Sequence, residues 1–342
     1  MSLRQASSPN YRVRKLIDRC MRGMTIGATL LALIPLVLII GYVTIIGGGA
    51  LSADFFTKTY EPPDTGGFDF AIPSGEEGAA IDPNDPFAGI DLGNLTGDGA
   101  AVAEEPGAAS DGVVDIAGAE ARGGVLHGII GTLLITGLAL FFSLPIGIFA
   151  GIFLAEFPQN PLATFVRFAT DVLSGAPSII AGVTIYLLVV VAFREFSGVA
   201  GSLALTILMV PTVTRTTEEV LKLVPESTRE AALALGAPQW YSTFTVVIPT
   251  ALTGIVTGVM LAFARGAGET APLILTVLGS NVISFDIFAP LAALPLITYR
   301  YTESPYPSEN ALAWGSAFVL MMLVLVMNIL VRLATRSRVG GR

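Results

Sequence analysis

Between Met24 and Ile46 the chain runs without a single charge. That stretch of about 23 residues, at about 1.5 Å per residue, spans roughly 30 Å of hydrocarbon as an α-helix. A cleavable signal peptide is the competing reading, because the small residues GGGALSA follow. Its apolar core is only ~7–15 residues long, much shorter than this run. Comparable runs cover Gly128 to Ala155, Val172 to Phe193, Ser197 to Thr214, Phe244 to Ala264 and Ala311 to Val331. Thr270 to Phe285 is shorter. It is expected to be the tail of the fifth helix plus a re-entrant or peripheral segment. In lipid every backbone amide must be satisfied within the protein, so apolar runs of this length point to helices. The composition agrees: 53% of residues are hydrophobic and 13% charged, against about 25% charged in soluble domains. The expected fold class is an all-α integral membrane protein with six transmembrane helices.

Charge gives the topology. Arg4, Arg12, Arg14, Lys15, Arg19 and Arg22 precede the first run, and Arg332, Arg336, Arg338 and Arg342 follow the last. Six spans place both basic ends on one side, which the positive-inside rule makes cytoplasmic. The acids concentrate between Asp54 and Glu120, where Lys58 is the only cation. The expected divisions are a cytoplasmic basic segment 1–22, a first span 23–47, and an acidic extracytoplasmic insert 48–122. A core of five spans, 123–334, carries a cytoplasmic loop at 215–242, and a cytoplasmic tail covers 335–342. Stretches such as EPPDTGGFDF and GDGAAVAEEPG bury too little apolar surface to fold alone, so the insert is expected to be disordered; a docking arm for an outer partner is the alternative.

The loop after Thr214 is the most informative segment. Thr216 with Glu219, and Ser227 with Glu230, fit capping boxes. The second would open a short helix, REAALALG, closed by Gly236 and Pro238. A short capped helix with exposed Ala and Leu suits a groove on another protein, or a lipid surface. Its residues also resemble a family signature. Glu230-Ala231-Ala232, three residues, Gly236, nine residues, Val246, one residue and Ile248-Pro249 resemble the EAA motif of ABC-importer permeases. The motif has Ile where this chain has Val246, and Leu before its proline where this chain has Ile248. Pro211 to Pro225, Ala264 to Leu273 (ARGAGETAPL) and Ser174 to Gly182 (SGAPSIIAG) are similar to the phosphate-specific group. Ala271-Pro272 after Gly-Glu-Thr favours the PstA type over its sister PstC. The resemblance covers about Gly128 to Arg332 and the first span, and leaves the acidic insert uncovered.

That resemblance implies the type I importer permease fold. It implies a sister permease subunit, two cytoplasmic ATP-binding subunits docked on Glu230, Ala231, Ala232 and Gly236, and an extracytoplasmic phosphate-binding protein. It also implies a bacterial plasma membrane location, with lipid as a further partner and no nucleic acid. The chain's lysines, Lys15, Lys58 and Lys222, never follow a glycine, so the Gly-Lys pair of a phosphate-cradling P-loop is missing. ATP hydrolysis is therefore expected in another subunit, and no enzyme activity or cofactor here. The single histidine, His127, opens a span and is read as interfacial, which leaves no nucleophile–base set.

Arg265 and Glu269 are the candidate pathway charges. They are four apart, as on one helix face. Arg265 would lie roughly 24 Å along a helix entering lipid at Pro249, where a charge needs a cavity or a partner. Gly266 and Gly268 beside it permit close approach. A guanidinium fork suits phosphate because it bonds two oxygens at once; a structural ion pair or an arginine snorkelling to the interface is the competing reading. Arg167 and Asp171, also four apart, are expected as a surface pair. The nearest alternative function is a permease for sulfate or molybdate; a secondary transporter without an ATPase is more distant.

Overall fold

The structure is a computed structural model and describes residues 9–61 and 122–339. Most of the acidic insert, 62–121, lies outside the described residues. In chain order the helices are α1 (Pro9–Gly49), α2 (Ala53–Thr57), α3 (Leu126–Glu156), α4 (Pro161–Gly175), α5 (Ser178–Ile185) and α6 (Val191–Phe193). They continue as α7 (Gly198–Lys222), α8 (Glu226–Ala234), α9 (Gln239–Ser242), α10 (Ile248–Ala267), α11 (Ala271–Thr276), α12 (Leu294–Thr302) and α13 (Pro307–Val339). π-helical turns at Tyr186–Val190 and Thr243–Val247 join α5 to α6 and α9 to α10. Among the described residues five helices are long and apolar enough to cross a membrane, and a bent pair makes the sixth. The expected all-α, six-span fold class is what the chain adopts.

The bent pair corrects one expected span. Val172 to Phe193 is not a straight helix: α4 ends at Gly175, and Ser178–Phe193 leaves it at 100°. The cause is local. Pro177 bars the preceding residue from helical backbone, and Ala176 sits at φ −69°, ψ 135°. Other helices run past their expected ends. α7 continues to Lys222, so Thr216 caps nothing; its hydroxyl donates to the Thr212 carbonyl 2.8 Å away, inside the helix. Thr270 to Phe285 supplies α11, whose Leu273 and Thr276 are buried in the core rather than peripheral.

α7 is the centre of the bundle, between α3 and α10. On α10, Gly254, Gly258, Ala262 and Gly266 recur every four residues and form one stripe. A Cβ added at Gly258 would lie 2.6 Å from Thr216 Cβ, and one at Gly266 2.8 Å from Met209 Sδ, both on α7. Small residues let two helices approach closely where no hydrophobic driving force separates protein from lipid. Ile135, Leu205, Met209, Val213, Ala262 and Leu273 fill the core around this seam.

The insert leaves the bundle on a short stem. Strand β1 (Tyr60–Glu61) pairs antiparallel with β2 (Arg122–Gly123), Tyr60 opposite Gly123. Ser52 caps α2 by accepting from the Phe55 amide at 3.1 Å, and Phe55 is buried. The Tyr60 hydroxyl donates to the Glu309 carboxylate at the start of α13. Both ends of the insert are thereby tied to the bundle.

Candidate functional site

The segments singled out in the sequence converge. Gly182 of SGAPSIIAG meets Pro272 of the Gly-Glu-Thr-Ala-Pro segment: a Cβ at Gly182 would lie 2.7 Å from Pro272 Cα. α7, which carries Pro211 to Pro225, packs against α5, α10 and α11. Two of the three segments thus meet directly, and the third, Pro211 to Pro225, begins just beyond Met209, the α7 residue that faces Gly266.

Arg265 stands in the last turn of α10. Its side chain is 48% exposed, and its Nε lies 3.7 Å from Glu269 Oε1, whose side chain is 20% exposed. Among the described residues Glu269 is the one acid within ion-pair reach of Arg265. The expected shared helix face is corrected, because α10 stops at Ala267. The Gly268 amide donates to the Arg265 carbonyl at 3.2 Å and the Glu269 amide to the Gly266 carbonyl at 3.3 Å. This tighter turn carries Glu269 off the helix yet keeps it near Arg265. At 3.7 Å the pair is electrostatic rather than hydrogen-bonded, so the guanidinium donors are not all committed. Gly266 is buried on Met209; Gly268 is exposed and borders a cleft of about 570 Å³ that Thr270, Thr298, Glu303 and Met321 also line.

At the opposite end, α8 carries Glu230, Ala231 and Ala232. None of its residues is buried. The Ser227–Glu230 capping box is absent: the helix begins at Glu226, Pro225 holds the cap position, and no side chain caps it. Proline's fixed φ starts the helix there instead. The C-terminus follows the expected glycine stop. Gly236 has φ +83°, its amide donates to the Leu233 carbonyl at 2.9 Å, and the Ala237 amide donates to Ala232 at 3.3 Å. These two bonds are a Schellman end. Leu233 and Leu235 stand exposed, Leu235 at 90%, with Leu223, Trp240 and Tyr241 nearby in the chain also exposed.

What anchors α8 was missed in the sequence. Arg229 pairs with Glu156, the last residue of α3, and donates to the Leu221 carbonyl of α7 at 2.8 Å. The legible signal was an arginine next to Glu230 and a lone acid closing a span. Arg167 and Asp171 do not form the expected pair. Arg167 reaches Glu218 at 2.8 Å and the Leu154 carbonyl at 2.9 Å, while Asp171 pairs with Arg215. Glu218 also takes Lys222 at 2.6 Å. The pairs run between α4 and α7 because residues one turn apart on each helix face each other across the seam. His127 is buried, at 2% exposure, rather than interfacial, and neither ring nitrogen has a protein partner among the described residues.

Residues 147–339 match the family model of the binding-protein-dependent transport system inner membrane component. The chain belongs to this family. Among curated relatives of this transport component, the phosphate transport system permease protein PstA of Haemophilus influenzae is 44% identical over 213 residues, covering 62% of this chain and 76% of that one. PstA of Pasteurella multocida is 43% identical over 213 residues with the same coverage. PstA 1 of Mycobacterium tuberculosis is 38% identical over 223 residues, covering 63% and 72%. The permease also shares its fold with the MetNI methionine ABC transporter in an inward-facing form: TM-score 0.50, 22% identity, 63% of this chain and 94% of that chain. The phosphate-permease resemblance read from the sequence is thus matched by named relatives.

Proposed function

We propose that this chain is a permease subunit of an ATP-driven phosphate importer, forming half of the translocation pathway with a sister permease. The observation that carries the reading is the contact of SGAPSIIAG with the Gly-Glu-Thr-Ala-Pro segment beside α7, with Arg265 half-exposed next to it. Relatives named as phosphate transport permeases support it.

In this reading Arg265 offers guanidinium donors to the passing anion, and Glu269 holds the cation between passages. A transport site must also release what it binds, and a competing carboxylate keeps the anion loosely held. Gly266 sets Arg265 close to α7, and Gly268, small and exposed, leaves room for the anion beside Arg265. Two ATP-binding subunits dock on α8 through Glu230, Ala231, Ala232 and the turn at Gly236. Their closure pulls Arg229, and through Glu156 and Leu221 the cytoplasmic ends of α3 and α7. An extracytoplasmic phosphate-binding protein delivers substrate to the outer face. The basic segment 1–22 and the tail 335–342 lie in the cytoplasm, and the insert 48–122 lies outside. ATP is hydrolysed by the partner subunits, and this chain is not itself an enzyme.

Arg265→Gln tests the pathway assignment. Uptake of labelled phosphate falls by about 10- to 100-fold, the worth of a hydrogen bond to a charged group, with assembly and membrane level unchanged. Unchanged uptake removes Arg265 from the pathway. Competition with sulfate and molybdate separates this reading from that of another oxyanion permease: uptake that sulfate suppresses as well as unlabelled phosphate does would favour the alternative.

A further inference from the structure

α1 is far longer than a membrane requires. Its 41 residues extend about 60 Å, twice the roughly 30 Å hydrocarbon core. With the charge-free run from Met24 in the core, Val13 to Arg22 emerges at headgroup level. These turns are two-sided. Val13, Leu16, Ile17, Cys20 and Met24 fall at helical spacing on one face. Lys15, Arg19 and Arg22, at spacings of four and three, line another face. Among the described residues the apolar side is exposed: Leu16 63%, Ile17 54% and Met21 56%, with Cys20 exposed as well. From Val13 to Gly49, Asp18 is the sole acid.

We propose that Val13 to Arg22 docks on anionic lipid headgroups of the membrane that the same helix crosses. The apolar face enters the headgroup–acyl boundary and Lys15, Arg19 and Arg22 meet lipid phosphates. Two features select lipid as the occupant. The charge balance complements an anionic surface, and the segment is continuous with a span that fixes it at that surface. The combination of an apolar face and a cationic face is what interfacial helices use. Gly23 and Gly27 sit at the junction, four apart, with no atom within 4 Å of an added Cβ at either. Paired glycines at a helix junction permit the bend that lays the segment down. Each cation near an anionic surface favours the docked state by about fivefold.

Cys20 is the chain's single cysteine and lies in the apolar face, so it reports docking directly. The assembled transporter, with cysteines of its other subunits replaced, is labelled there with bimane and reconstituted. In phosphatidylglycerol-containing vesicles the probe emission shifts to the blue and is quenched by lipids brominated near the headgroup. In pure phosphatidylcholine it stays water-exposed and is quenched by aqueous iodide. The triple variant K15Q/R19Q/R22Q shifts the docked population down by roughly 100-fold and loses the lipid dependence; R19Q alone shows a partial loss. A probe equally open to iodide in both lipids overturns the proposal. So does shielding that appears only with the ATP-binding subunits present, which would assign the face to a protein.

Discussion

The α7–α10 seam and the α8 segment differ in how tightly the chain holds them. On the seam, Gly258 and Gly266 sit against α7 with no room for a side chain, and Arg265 stands beside Gly266. At α8 the hold is lighter: Arg229 pairs with Glu156 and donates to the Leu221 carbonyl, a glycine-terminated turn closes the helix, and none of its residues is buried. The difference teaches where specificity and motion reside. In the proposed reading, the charge that meets a small anion is set on packed helices, where misplacement is costly. The surface proposed to be gripped by the ATP-binding subunits is left bare, with Arg229 as its link to α3 and α7.

The sharpest way to break this contrast is at the packed end. Gly258→Leu places a side chain where Thr216 already sits. It lowers stability by about 1–3 kcal/mol, read as a fall in the detergent melting temperature, and uptake falls with it. If Gly258→Leu melts like the parent, the seam is not rigid. At the bare end, Glu156→Gln leaves Arg229 without its carboxylate. Uptake falls about tenfold, as expected for roughly 1.5 kcal/mol from a charged hydrogen bond, while ATP hydrolysis by the complex continues. The exchange R229E/E156R restores part of the uptake, which a purely structural defect would not show. Gly236→Ala forces a Cβ onto a left-handed backbone at φ +83°, worth about 1 kcal/mol. ATPase binding to the permease weakens about fivefold in a pull-down, with the melting temperature lowered by only about 2–4 °C. Asp171→Asn is the smallest. Its pair with Arg215 is about half exposed on both sides, and exposed pairs contribute under about 1 kcal/mol. Uptake within twofold of the parent is expected, and a collapse would show that the α4–α7 seam matters more than exposure suggests.

Much of this was legible in the chain. Charge-free runs name their own helices because lipid admits few alternatives, so the six-span fold followed from length and charge. The glycine stop at Gly236 was legible because φ > 0 strongly favours that residue. What failed was local competition. The Ser227–Glu230 box lost to Pro225, which starts the helix without a side-chain cap. The Thr216–Glu219 box lost to a helix that simply continued past its expected end. The straight span from Val172 to Phe193 lost to Pro177. Pairing was the least legible, because Arg167 and Asp171 choose partners on α7 that sequence spacing does not reveal. The reach of Glu269 to Arg265 survived for a reason other than a shared helix, a turn at Gly268.

Transport by the assembled complex in proteoliposomes tests the central claim most directly, with phosphate supplied through the binding protein and ATP present or withheld. The account predicts phosphate accumulation only when ATP is hydrolysed, and its loss when Gly236→Asp stops the ATP-binding subunits from seating on α8. Accumulation at the parental rate without those subunits, or with that variant, would contradict it.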